Sequence, residues 1–138
     1  MTQEEIKEYN KRCAEFLGMY DYSMDNEYFE KGNYYCYPEK EKNPGSGYYT
    51  IVQNTSDGYY GIFNSDWNWI MEVVEAIEKL GYESLIGGSE YYYPEKGMRY
   101  IQSFIKDDVT IYQEAKTKKE AVVQAINQFL IWYNENNK

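Results

Sequence analysis

The stretch that most constrains the fold is residues 64–82, NSDWNWIMEVVEAIEKLGY. Its spacing predicts one long helix with a marked start and stop. Asn64, Ser65 and Asp66 are short polar residues of the kind whose side chains accept the first free N–H groups of a helix. Gly81 supplies a left-handed residue beyond the last turn, with Tyr82 placed to fold back on Ile77. At about 100° per residue, Asn68, Glu72, Glu75 and Lys79 fall on one narrow polar stripe. Trp67, Trp69, Ile70, Met71, Val73, Val74, Ala76, Ile77 and Leu80 take most of the remaining surface, with Glu78 the one charge near it. A helix apolar over so much of its girth is expected to be covered on more than one side, and so to organise a core.

The flanking elements are announced by their own boundary signals. Thr2-Gln3-Glu4-Glu5 is a capping box, and Ile6, Tyr9, Cys13, Phe16 and Leu17 follow at helical spacing up to Gly18, which predicts a first helix over residues 3–17. Residues 82–86 read as a short strand ending at Gly87-Gly88-Ser89. Residues 98–105 read as a better one, with Tyr100, Gln102 and Phe104 on one side and Ile101 and Ile105 towards the other. Lys106-Asp107-Asp108 turns the chain, and residues 109–112 return as the antiparallel partner. A second box, Thr117-Lys118-Lys119-Glu120, opens the last helix. Its broad apolar face holds Ala121, Val122, Ala125, Ile126, Phe129, Leu130, Trp132 and Tyr133, with Ile131 outside it and residues 135–138 fraying. Helices with wide apolar faces among β segments predict an α+β fold: a small antiparallel sheet packed with N-terminal, central and C-terminal helices, sandwich-like, in a single domain over residues 1–138.

Residues 19–62 differ in kind and read as an insertion. Tyr20, Tyr22, Tyr28, Tyr34, Tyr35, Tyr37, Tyr48, Tyr49, Tyr59 and Tyr60 crowd it, and turn signals at residues 43–47 and 56–58 interrupt it. Residues 48–53 have strand bias, and residues 34–37 a weaker one. The run YYCYPEK at residues 34–40 is echoed by YYYPEK at residues 91–96, which reads either as a shared turn-and-strand solution or as a duplicated aromatic recognition element.

The charge balance narrows the partners. A formal net charge of −9 repels phosphate backbones, and the one dense basic cluster, Lys116, Lys118 and Lys119, flanks a helix start, so nucleic acid is not the expected partner. No apolar run approaches the ~18 residues a membrane span needs, and the N-terminus has no export signal, so the expected location is the cytoplasm. Cys13 and Cys36 are then expected as free thiols, Cys13 as a small core residue.

Histidine is absent, which removes the commonest general base and metal ligand together. Glu72 and Glu75 share a polar stripe, as solvated helix faces commonly do. Asp21, Ser23 and Asp25 begin like a calcium loop, but its sixth position lacks Gly and its twelfth is Gly32 instead of Glu. Gly87-Gly88-Ser89 lacks the Lys and spacing of a phosphate loop. The chain is therefore expected to be no enzyme, with no metal and no cofactor.

The runs DWNWIMEVVEAIEKLGY and KKEAVVQAINQFLIWYNENN resemble small uncharacterised proteins of bacteriophages and prophages of gut bacteria, which often carry W-x-W-[LIM]-M-x-V-V-E-x-I and A-V-x-x-A-[IV]-x-x-F-[IL]-x-W-Y-N helices. More distantly the layout is similar to the phage ABA sandwich domain, with residues 14–18 as its first helix end. The likeness covers residues 1–18 and about 63–138, and it implies an origin and a fold without a reaction. Tyr offers a large contact area with few rotors and a hydroxyl, and a chain with 18 of them is expected to expose several. The expected function is therefore binding of a host or phage protein through an acidic surface carrying Tyr34, Tyr35, Tyr37, Tyr48, Tyr49, Tyr91, Tyr92 and Tyr93. The alternatives are a small nucleotide-like ligand stacked on those rings, or self-association as a structural accessory protein.

Overall fold

Both halves of the first capping box close. Thr2 Oγ1 accepts the Glu5 N–H (3.1 Å) and Glu5 Oε1 accepts the Thr2 N–H (3.3 Å), starting α1 (Gln3–Phe16) where its sequence directs. The computed structural model describes residues 1–21, 34–36, 51–53, 63–89 and 99–137, leaving the side chains of 34, 36, 51–53 and 89 outside the description. The chain is α+β and divides into two compact units, Met1–Trp69 and Ile70–Lys138.

In the first unit α1 ends in a complete Schellman motif. The Met19 N–H reaches Ala14 O (2.9 Å), the Gly18 N–H reaches Glu15 O (3.0 Å), and Gly18 takes φ 84, which a side chain would strain. Buried Met19 and Ala14 supply the apolar contact positions of that motif. The chain continues directly into β1 (Tyr20–Asp21), which pairs with β2 (Tyr34–Cys36), which in turn pairs with β3 (Ile51–Gln53) in an all-antiparallel sheet. The strands expected near residues 34–37 and 48–53 are thus present where the chain is described. Tyr37, Tyr48, Tyr49 and the other half of the echo, Tyr91, Tyr92 and Tyr93, lie outside the described residues.

The central helix starts and stops at the boundary residues its sequence marks. Asp66 is the cap among the three candidates, its Oδ1 accepting the Asn68 N–H (2.9 Å), and α2 runs Trp67–Lys79. Residues 63–65 form a turn ahead of it. At the other end the Gly81 N–H bonds Glu78 O (2.9 Å) with φ 98. Among the described residues the expected coverage on several sides is not found. Ile70, Val73, Val74 and Ile77 form one buried stripe, while Trp67, Met71 and Leu80 remain 36–42% exposed. A stripe of about 100° is all that one packed face requires, and single apolar residues at its margins are tolerated in water.

The second unit holds the larger sheet, β4 (Glu83–Ser89), β5 (Arg99–Lys106) and β6 (Val109–Ala115), antiparallel in that order. Lys106↔Val109 closes a two-residue turn in which Asp107 takes φ 54, a conformation that Asp tolerates better than most residues. β4 continues through Gly87 and Gly88, which pair with Ile101 and Tyr100.

Cross-strand partners share a face, so register fixes the two sides. One side carries Ser84, Phe104 and Ile111 in one row and Ile86, Gln102 and Gln113 in the next. α3 (Lys118–Asn136) lies over β5 and β6 and only marginally over β4. Its Phe129 sits 5.8 Å from the Phe104 ring, within a cluster that adds Tyr82 (4.9 Å, edge-on), Trp132 and Tyr133. Thr117 Oγ1 accepts the Glu120 N–H (3.1 Å), the forward half of the second box. The helix stays regular to Asn136, where fraying was expected, because Asn136 and Asn137 side-chain amides tie off the Trp132 and Tyr133 carbonyls.

Candidate functional site

Among the described residues of the first unit, Tyr9, Asn10 and Cys13 of α1 form a buried polar group. The Tyr9 hydroxyl donates to Phe63 O (2.7 Å), and Asn10 Nδ2 donates to Asn64 Oδ1 (3.3 Å), tying the helix to the 63–65 turn. Cys13, one helical turn beyond Tyr9, is fully buried, as expected for a core thiol. Burial pushes both acids up: Tyr9 well above its ordinary value, with Cys13 beside it adding to the shift, and Cys13 far above its own. A buried thiol held protonated is a poor nucleophile and a poor metal ligand, and the two hydrogen bonds of Tyr9 and Asn10 anchor α1 to the turn.

Tyr35 is the one residue of the expected aromatic surface whose side chain is described, and it is buried at 3% exposure. Burial first, and then the nearby carboxylates of Asp21, Glu15 and Glu8, push its hydroxyl up to about 12. Its ring serves the packing of the first unit. Tyr34 lies beside it in β2, with its ring outside the description.

The second unit carries an open surface that sequence reasoning did not single out. The sheet face without α3 presents Leu85, Ser103 and Tyr112 in one row, flanked by Glu83, Ile105 and Thr110 on one side and by Gly87, Ile101 and Glu114 on the other. Tyr112 is 60% exposed and Leu85 48%, with Ile101 and Ile105 half-buried between neighbours. Arg99 Nε meets Glu114 Oε1 at 2.8 Å across one end of the face. Exposed Glu83, Asp107 and Asp108 make its other end acidic. The alternation of Ile101 and Ile105 against Gln102 and Phe104 was the sequence signal for this face. What the sequence lacked was any sign of which side α3 would leave bare.

Lys106 and Tyr82 sit at the C-terminal end of α2. Lys106 Nζ donates to Leu80 O (2.8 Å) and stands 5.4 Å above the Tyr82 ring, a cation placed at the negative end of a helix. Burial, then Tyr133 and Asp107, raise the Tyr82 hydroxyl. Among the described residues no group of three His, Cys, Asp or Glu side chains is placed to hold a metal ion, and no helix is long and apolar enough to cross a membrane. Comparison with protein-family models, curated proteins and solved structures finds no match.

Proposed function

We propose that this chain is a non-enzymatic binding protein of the phage or prophage accessory type, acting in the cytoplasm on a host or phage protein through an acidic surface that includes an exposed tyrosine. The observation that carries the reading is the open face of the β4-β5-β6 sheet, where Tyr112 and Leu85 stand exposed in one cross-strand row beside half-buried Ile101 and Ile105. An amphipathic ring beside a few aliphatic side chains in a polar surround is a composition that protein interfaces favour, and sheet strands hold it at low entropic cost. The net charge of −9 and the acidic end of the face select a partner with a basic surface. The phage attribution rests on the sequence likeness of α2 and α3.

Affinity capture of the tagged chain from bacterial lysate, read by mass spectrometry, tests it. The reading expects one enriched protein whose retention weakens as salt rises. Capture of nothing, together with a small molecule retained in native mass spectra, would replace it with the ligand-binding alternative.

A further inference from the structure

Among the described residues β4 is an edge strand, and its own sequence lacks the devices that usually keep edges apart. Its pairing with β5 runs one to one from Glu83↔Ile105 to Ser89↔Arg99 with no bulge, and it contains neither Lys nor Pro. Leu85 and Ile86 leave opposite faces and are both exposed, at 48% and 42%. A side chain added at Gly87 would meet nothing within 4 Å. Among the described residues β4 pairs with β5 alone. The opposite edge, β6, lies beneath α3, whereas the helix hardly reaches β4.

The direction of β4's free backbone groups follows from the hairpin. Lys106 and Val109 flank a two-residue turn, so they form a hydrogen-bonded pair, and bonded pairs then alternate along the ladder. In β5 the even-numbered residues therefore bond β6, and the odd-numbered residues bond β4. Glu83, Leu85, Gly87 and Ser89 spend their N–H and C=O groups on β5, leaving those of Ser84, Ile86 and Gly88 pointing outward.

We infer that β4 pairs antiparallel with β4 of a second copy, about a two-fold axis at Ile86, joining two three-stranded sheets into one of six strands. This register is in phase with itself. Ile86 meets Ile86 of the second copy and Ser84 meets Gly88, so every residue with outward groups faces another. Leu85 falls opposite Gly87, which leaves room for its side chain. Glu83, the only charge in the strand, falls opposite Ser89 and not its own copy, so no like charges oppose across the new ladder. The pairing uses no tyrosine and stands independently of the proposed binding function.

Light scattering on the full chain, with amide hydrogen exchange, tests this. The wild type is expected at twice the 16.5 kDa chain mass. Ile86→Lys and Ile86→Glu each set like charges face to face and are expected at single mass with unchanged circular dichroism, while an equimolar mixture of the two regains the double mass. In the wild type the Ser84, Ile86 and Gly88 amides gain protection as concentration rises, while Leu85 and Gly87 are protected throughout. A wild type that stays at single mass at millimolar concentration, a mixture that does not reassociate, or exchange at Ser84, Ile86 and Gly88 that ignores concentration would overturn the inference.

Discussion

The two sheets of this chain are both three-stranded and antiparallel, yet they are specified in different ways. Sheet β4-β5-β6 has strands of seven and eight residues, one side covered by α3 and the other open among the described residues, so a slip of one residue would turn Phe104 out and Ile105 in. Sheet β1-β2-β3 has strands of two and three residues, and its first strand starts directly after the Schellman closure of α1, which fixes where it begins. The larger sheet is held by an aromatic cluster. In the first unit α1 is anchored to the 63–65 turn by one buried and one partly buried hydrogen bond. Long alternation encodes register by itself, and short strands borrow theirs from neighbours.

The largest expected effect breaks the aromatic side. Phe129→Ala removes the ring that meets Phe104, Tyr82, Trp132 and Tyr133, and should cost about 3–5 kcal/mol in urea unfolding. The hydrogen-bonded side is tested by Tyr9→Phe. It leaves the Phe63 carbonyl without the hydroxyl it accepts from in a buried site and should cost about 1–3 kcal/mol. A Tyr9→Phe loss exceeding that of Phe129→Ala would reverse the contrast. Thr117→Ala, which removes one cap bond at the start of α3, should cost about 1 kcal/mol.

Alkali sharpens the same comparison. Cys13, Tyr9 and Tyr35 are held protonated by burial, their ordinary values being 9.0 for the thiol and 10.0 for the hydroxyls. Above those values the unfolded chain releases protons that the folded chain keeps, so unfolding becomes progressively easier. The stability these groups lend is complete below pH 9.0 and is lost as pH rises through 10.0 towards about 12, where Tyr35 itself ionises. The urea midpoint should be level up to the thiol value and then fall. Tyr35→Phe should show a shallower fall, and an unchanged slope in that variant would contradict the assignment.

Much of this architecture is legible in the sequence, for reasons that also mark its limits. Thr2 and Glu5, Gly18, Gly81 and Thr117 each sit where a backbone group needs a specific residue, so they give α1, the end of α2 and the start of α3 within a few residues. The alternation from Tyr100 to Ile105 gives the hairpin and its two faces. Two-residue β1 has no period to detect, and three-residue β2 completes only one alternation. Tyr35 shows the consequence, because adjacent strand residues leave on opposite faces and nothing in a Tyr-Tyr pair tells which ring goes inward. Trp67 and Met71 mislead in the opposite direction, since apolar character widens a predicted face without anything to cover it. The open row of Leu85 and Tyr112 was hidden because it depends on where α3 lies, which no local spacing records.

The most direct test of the account compares capture from bacterial lysate by the wild type with capture by Leu85→Ser and by Tyr112→Ser, neither of which touches the side packed against α3. The protein enriched by the wild type is expected to fall at least about tenfold with either variant, a loss of about 1.4 kcal/mol, while both keep their urea midpoints. Equal enrichment by all three would place binding away from the open sheet face and contradict the account.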